Sequence, residues 1–132
     1  MKAVILSGGL GTRLKPFTEV IPKPLLPIGG KAILEVQIER LRDYGFSTIY
    51  LATNYKSEYI KSFFGDGTRY GVNLIISRET IPLGTAGPLT LIQEELKEPF
   101  LVMNGDILTL LNYKMFYVYG GINGVLVVNI QY

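Results

Sequence analysis

The first residues of the chain place a short apolar strand directly before a glycine-rich loop: residues 2–13 read KAVILSGGLGTR. The apolar run Lys2–Leu6 predicts a buried strand. The glycines that follow let backbone N–H groups approach phosphate oxygens closely, and Arg13 adds a cation that can bind phosphate through two N–H groups. This strand and loop therefore indicate an α/β protein with a phosphate-binding turn.

Farther along the chain, strand patterns alternate with helix patterns. We predict helices over Ile33–Tyr44, Ser57–Phe64 and Thr85–Leu96, the last N-capped by Thr85, and strands over Ser47–Ala52, Val72–Ser77 and Phe100–Met103. Strands separated by helices imply βαβ units, so the predicted fold is α/β: a three-layer, Rossmann-like, doubly wound and mostly parallel sheet. Ligands of such sheets sit beyond the carboxyl ends of the strands, where Gly8–Arg13, Glu79–Gly84 and Asp106 are expected to converge.

The composition excludes several classes of function. With 132 residues the chain is long enough for one domain, and its net charge of +2 is too small to favour nucleic acid as a partner. No uninterrupted apolar run approaches the length of about 18 residues that a membrane span needs. The chain has no Cys and no His, which removes thiol nucleophiles, Cys/His zinc sites and Ser-His-Asp triads. Oxygen-ligand metal chemistry and phosphate binding remain, and a reducing cytoplasm is the expected location.

Two well-known phosphate loops fit the glycine cluster poorly. A Walker A loop ends in Gly-Lys-Ser/Thr, which Gly11-Thr12-Arg13 does not supply. A dinucleotide-binding loop would need a third glycine where the chain has Leu14, and an acid where the second predicted strand is followed by Asn54. Taken alone, the cluster is also compatible with a plain tight turn.

A longer signature narrows these alternatives. Residues 4–30 read VILSGGLGTRLKPFTEVIPKPLLPIGG, and residues 98–109 read EPFLVMNGDILT. The first segment resembles the N-terminal signature of the sugar-1-phosphate nucleotidylyltransferases, the NDP-sugar pyrophosphorylases that include mannose-1-phosphate guanylyltransferases and glucose-1-phosphate nucleotidylyltransferases. This resemblance, which covers roughly the first 109 residues, implies the nucleotide-diphospho-sugar transferase fold and Mg²⁺ as cofactor. It also implies that the protein joins a nucleoside triphosphate to a sugar 1-phosphate and releases pyrophosphate.

The resemblance assigns roles to individual positions. Arg13 and Lys23 would be the catalytic cations that contact the phosphates, and Asp106 would be a Mg²⁺ ligand. No acidic residue follows Asp106, so the family's second metal-binding Asp has no match here. The implied nucleotide-binding residues are Leu6, Gly8, Gly9, Gly11, Thr12, Arg13, Glu79, Gly84 and Thr85.

The segment around Glu79 and Gly84 resembles the part of the family that reads the base. Gly84 would let the base lie against the backbone, and Glu79 would face the base edge. A carboxylate only accepts hydrogen bonds, and guanine offers adjacent N1–H and N2–H₂ donors, whereas Gln can both donate and accept. Guanine, and hence GTP, is therefore favoured. The alternative is that Glu79 is a solvated residue at the end of a strand.

Residues 107–132 differ from the rest of the chain because Lys114 is their single charged residue. This apolar stretch, which ends in VLVVNIQY, predicts a buried strand. Such a strand would pack on further protein or on a second copy of the chain in a homo-oligomer. We therefore expect residues 1–132 to form one nucleotidyltransferase domain that carries the nucleotide-binding half, with no counterpart of the family's sugar-binding half. A truncated, non-catalytic nucleotide-binding or regulatory subunit is the alternative, and the sugar is left open.

Overall fold

The computed structural model describes residues 1–8, 21–54 and 56–123, with side chains up to residue 120. The strands are β1 (Lys2–Ser7), β2 (Pro27–Ile28), β3 (Lys31–Ala32), β4 (Thr48–Thr53), β5 (Asn73–Arg78) and β6 (Phe100–Asn104). The α-helices are α1 (Ile33–Asp43), α2 (Ser57–Phe64) and α3 (Tyr113–Asn123). Short 3-10 helices span Lys23–Leu25, Thr68–Tyr70 and Gly87–Glu95. Four of the strands and two of the helices thus lie within one or two residues of their predicted positions.

The main sheet is parallel and has the strand order β5-β4-β1-β6. Central strand β1 pairs with β4 through Lys2 and Thr48, and with β6 through Lys2 and Phe100. The chain adds β4 and β5 on one side of β1 and then returns to add β6 on the other side. The crevice between the carboxyl ends of β1 and β6 is therefore the topological switch point, where ligands of open α/β sheets bind.

Both faces of this sheet are covered, which explains why β1 reads as a continuous apolar run. Ala3 and Ile5 point to the face that packs on the three α-helices. Val4, their neighbour in the strand, points to the opposite face and packs with Ile92 of the 3-10 helix Gly87–Glu95. The three-layer, doubly wound α/β architecture predicted from the sequence is confirmed.

The predicted α-helix Thr85–Leu96 is wrong in type and start. This region forms a 3-10 helix over Gly87–Glu95 with a kink at Ile92, whose φ of −125° is not helical. Pro88 removes a backbone donor in the first turn, and the Thr90 hydroxyl donates back to the Gly87 carbonyl at 2.7 Å, which competes with regular α-helical bonding. Thr85 does not cap the helix, and it lies instead in the cleft described below.

The prediction of a buried strand for the apolar tail is wrong for residues 113–123, which form α3. Asn112 starts this helix, because its side-chain Oδ1 accepts a hydrogen bond from the Met115 N–H at 3.1 Å. Tyr113 is buried, whereas Met115 is largely exposed. Residues 124–132, which include VLVVNIQ, lie outside the described residues. Among the helices in the described part of the chain, none is long and apolar enough to cross a membrane.

Candidate functional site

A cleft of about 460 Å³ opens at the carboxyl edge of the sheet, at the switch point between β1 and β6. The structure describes seven of the site residues predicted from the sequence, and all seven line this cleft. They are Leu6, Gly8, Lys23, Glu79, Gly84, Thr85 and Asp106. The other four predicted residues, Gly9, Gly11, Thr12 and Arg13, lie outside the described residues. The convergence of three separate loops at one edge, expected from the strand order, is therefore observed for the parts that are described.

The cleft also contains residues that the sequence reasoning did not select: Ser7, Ala52, Asn54, Pro82, Pro88, Asn104 and Gly105. Two of them, Asn54 and Asn104, are polar residues at the carboxyl ends of β4 and β6. Their position at strand ends could have indicated them from the sequence, since the carboxyl ends of neighbouring parallel strands meet at one edge of the sheet. The Asn54 side-chain amide donates a hydrogen bond to the Gly8 carbonyl, so it ties the start of the glycine-rich loop to β4.

Lys23 and Asp106, which are 83 residues apart and both line the cleft, form an ion pair. The Lys23 Nζ donates to the Asp106 Oδ2 at 2.8 Å. Lys23 begins the 3-10 helix that follows Pro22, and the Leu25 N–H donates to the Pro22 carbonyl at 2.9 Å. The prolines on both sides of Lys23 restrict its backbone, so the ammonium group projects from a fixed turn.

Asp106 lies in the turn that follows β6, and this turn sits directly against β1. The Gly105 N–H donates to the Leu6 carbonyl at 2.8 Å. A Cβ atom at Gly105 would lie 3.1 Å from the Ser7 Oγ and 3.2 Å from the Leu6 carbonyl oxygen, tighter than most real contacts. The glycine before Asp106 therefore allows the turn to approach β1 closely, and this approach places the Asp106 carboxylate at the switch point.

Glu79 is buried, with 7% of its surface exposed, so the alternative of a solvated strand end is wrong. Its Oε2 accepts a hydrogen bond from the Leu83 N–H at 3.1 Å, which closes the loop that leads to Gly84. Its Oε1 approaches Gly8 so closely that a Cβ atom there would lie 2.6 Å away. Glu79 thus connects the base-reading segment inferred from the sequence with the first glycine of the phosphate loop.

The residues present fit a divalent cation that is shared with a phosphate ligand. Among the described residues there is no cluster of three or more His, Cys, Asp or Glu side chains that could enclose a metal alone. Asp106 offers a carboxylate to the cleft, and Mg²⁺ in phosphate-binding sites is usually held by one or two carboxylates plus phosphate oxygens and waters. Lys23 now contacts the Asp106 Oδ2, which shows that this oxygen is accessible to a cation.

The turn Gly65-Asp66-Gly67-Thr68 does not line the cleft and is structural. The Asp66 Oδ1 accepts a hydrogen bond from the Thr68 N–H at 3.0 Å, and this bond lowers the pKa of the Asp66 carboxyl. Gly67 has a φ of +85° and packs against Leu74, so a glycine is required here by the shape of the turn. Asp66 consequently provides an exposed carboxylate for comparison with Asp106.

Comparison with known proteins identifies the family of this chain. A sequence profile described as "Nucleotidyl transferase" matches residues 2–118. A mannose-1-phosphate guanyltransferase of Saccharomyces cerevisiae is 46% identical over 112 residues, which cover 82% of this chain and 31% of that protein. The chain spans about a third of the length of the curated relatives it matches.

Two solved structures share the fold. HddC from Yersinia pseudotuberculosis, complexed with GMP-PN, matches with a TM-score of 0.79 and 37% identity, over 90% of this chain and 53% of that one. A Bacillus anthracis structure, described as a glucose-1-phosphate thymidylyltransferase in complex with a sucrose, matches with a TM-score of 0.83 and 29% identity. That match covers 93% of this chain and 50% of the other. Because the family profile extends over most of the sequence, the chain belongs to the nucleotidyl transferase family.

Proposed function

We propose that this chain forms the nucleotide-binding part of a sugar-1-phosphate nucleotidylyltransferase that uses GTP and releases pyrophosphate. The observation that carries the proposal is the cleft at the switch point, which Gly8, Lys23, Glu79 and Asp106 all line although four separate segments supply them. Relatives named mannose-1-phosphate guanyltransferases support a guanine nucleotide and mannose 1-phosphate as substrates. In this proposal residues 1–132 form one domain that carries the nucleotide-binding half.

The proposed reaction is an in-line displacement at the α-phosphorus of GTP. An oxygen of the sugar 1-phosphate forms a bond to the α-phosphorus, and the bond from this phosphorus to the oxygen bridging to the β-phosphate breaks. The electron pair of that bond leaves with pyrophosphate. The attacking oxygen is already anionic, so no side chain needs to remove a proton, which suits a chain without His. Catalysis then depends on positioning and on stabilisation of charge.

Different residues of the cleft would bind the triphosphate, the cation and the base. The Gly8 end of the glycine-rich loop and the cationic Lys23 face the triphosphate, and Arg13, inferred from the sequence signature, adds a second cation. Asp106 would hold Mg²⁺ together with phosphate oxygens. When bound, this cation would neutralise charge on the phosphates and orient them for displacement. Glu79 would accept hydrogen bonds from the N1–H and N2–H₂ groups of guanine.

The proposed activity is tested with Mg²⁺ by measuring pyrophosphate release by the native protein, purified in the full length in which it is expressed. Release is expected with GTP and mannose 1-phosphate together, and not with either substrate alone, because the phosphate group of the sugar is the nucleophile. Formation of GDP-mannose in equal amount would confirm transfer of the nucleotidyl group. Binding of GTP without any release of pyrophosphate would contradict the proposal and favour a non-catalytic nucleotide-binding subunit.

The choice of base is tested with Glu79→Gln. Gln keeps an oxygen that can accept from the Leu83 N–H, so the loop is preserved, but it places an N–H₂ group opposite a donor edge of guanine. A hydrogen bond to a charged group contributes about 1.5–3 kcal/mol. We therefore expect the ratio of kcat/KM for GTP over UTP to fall about 10–100-fold. The control Glu39→Gln, on α1 and paired with Lys31, should leave this ratio unchanged. An unchanged ratio in Glu79→Gln would remove Glu79 from base selection.

A further inference from the structure

Gln37 is a fully buried polar residue on a helix face that is otherwise apolar. It lies on α1 beside Leu34, Ile38 and Leu41, and all four side chains have 0% of their surface exposed. A buried amide loses its hydrogen bonds to water and stabilises the fold only when protein partners replace them. The partners of Gln37 therefore show what this residue does.

The side-chain amide of Gln37 donates both of its hydrogens to the turn that carries Asp106. Its Nε2 lies 3.1 Å from the Asn104 carbonyl oxygen and 2.8 Å from the Ile107 carbonyl oxygen. These two carbonyls stand on either side of Gly105 and Asp106. The turn's own hydrogen bond, from the Ile107 N–H to the Asn104 carbonyl, is long at 3.3 Å. The amide of Gln37 is thus the stronger link between the two ends of the turn.

The same helix also supports the segment that carries Lys23. The Ile33 N–H, in the first turn of α1, donates to the Leu26 carbonyl at 3.0 Å, just after the 3-10 helix Lys23–Leu25. Lys23 in turn donates to the Asp106 Oδ2 at 2.8 Å. Helix α1 therefore binds both the backbone segment that carries Lys23 and the turn that carries Asp106. Gln37 supplies the contact to the turn.

The Gln37 amide is bonded through its nitrogen, and both of these bonds reach the turn. Among the described residues, the buried Oε1 of Gln37 has no hydrogen-bond partner, which is unfavourable inside a protein. An unbranched apolar side chain of similar length would avoid that cost, but it would also remove both hydrogen bonds to the turn. We propose that Gln37 is a positioning residue: it fixes the turn Asn104–Ile107 so that the Asp106 carboxylate is held ready for a divalent cation bound with the nucleotide. This inference rests on the proposed function.

The test is the affinity for Mn²⁺, used as a paramagnetic probe for Mg²⁺, measured by electron paramagnetic resonance in the presence of a non-hydrolysable GTP analogue. Loss of a residue that orients a metal ligand typically lowers metal affinity about 10–100-fold. We expect a loss of this size in Gln37→Met, together with an unchanged affinity for the GTP analogue in the absence of metal. Mn²⁺ affinity equal to that of the parent protein would overturn the proposal.

The matched control is Ile38→Val, which removes a buried methylene group from the next position of α1, where the side chain has no hydrogen-bonding group to offer the turn. It should lower the melting temperature and keep the Mn²⁺ affinity. An equal loss of Mn²⁺ affinity in Ile38→Val would show general destabilisation and would also overturn the proposal.

Two further outcomes remain decisive. If Gln37→Met does not fold, Gln37→Asn takes its place, since its amide is one methylene shorter and cannot bond both carbonyls. Gln37→Asn should again lower Mn²⁺ affinity, and parent-like affinity would overturn the positioning role. If the parent protein binds the GTP analogue but no Mn²⁺ in its presence, the proposed metal-dependent function is wrong. If the parent protein binds Mn²⁺ and the Gln37 variants bind it equally well, only the positioning role of Gln37 is wrong.

Discussion

Replacement of Asp106 by Asn is expected to reduce kcat about 10²–10³-fold, the size of effect seen when one contact that stabilises transition-state charge is lost. Asn has nearly the same shape as Asp, so the turn between β6 and the following segment should persist. Its amide carries no negative charge, however, and binds a divalent cation poorly when only one carboxylate is offered. Steady-state pyrophosphate release over a series of Mg²⁺ concentrations measures the effect, and the half-saturating Mg²⁺ concentration should rise.

The matched control for this change is Asp66→Asn. Asp66 is also an acid in a glycine-containing turn, but its carboxylate accepts from the Thr68 N–H and does not line the cleft. Asp66→Asn should therefore retain the parent rate and the parent Mg²⁺ dependence. Near-normal turnover in Asp106→Asn would contradict the assignment of Asp106 and, with it, the proposed site.

The second large effect is expected for Lys23→Met, which should also lower kcat about 10²–10³-fold. Methionine keeps the length of the apolar stem but removes the charge that is proposed to face the triphosphate. The Lys23 and Asp106 side chains are 31% and 46% exposed, and ion pairs this exposed contribute little to folding. The melting temperature should consequently change little while the rate falls, which separates a catalytic role from a structural one.

Lys31→Met is the matched control for Lys23→Met, because Lys31 also forms an exposed ion pair. Its Nζ lies 2.7 Å from the Glu39 Oε2, and the two side chains are 50% and 27% exposed. Loss of this pair outside the cleft should leave both the rate and the melting temperature close to the parent values. If Lys31→Met lowered kcat as much as Lys23→Met, general loss of surface charge would explain both results and the specific role of Lys23 would be wrong.

The fold could largely be predicted from the sequence, since hydrophobic periodicity reports burial. The run Lys2–Leu6 is apolar at every position after the first because helices cover one face of β1 and the 3-10 helix Gly87–Glu95 covers the other. Hydrophobic periodicity predicted the wrong secondary structure where local hydrogen bonds and proline determined the backbone conformation. Pro88 and the back-bonding Thr90 convert a predicted α-helix into a kinked 3-10 helix, and the cap at Asn112 starts α3 in a stretch that composition alone predicted as strand.

The candidate site was predictable to the extent that it depends on the parallel sheet and on the resemblance to the nucleotidylyltransferase signature. Lys23, Glu79 and Asp106 were selected as phosphate, base and metal contacts, and their common cleft follows from the parallel sheet. Their individual contacts were not predictable. Neither the ion pair between Lys23 and Asp106 nor the burial of Glu79 leaves a periodic signal in the sequence. Gln37 was missed for the same reason, because a polar residue on an apolar helix face gives no indication of which distant carbonyls it will bind.

The position of β1 in the middle of the sheet affects how the protein is made. This strand precedes both of its neighbours, which begin with Thr48 and Phe100, so its second hydrogen-bonded edge stays unpaired until β6 has been synthesised. Until then an apolar strand offers unpaired backbone groups to other nascent chains, which is a known cause of aggregation. Such long-range parallel pairing also folds slowly. The emerging chain is therefore expected to depend on chaperones, and its cleft cannot form before Gly105 and Asp106 have left the ribosome.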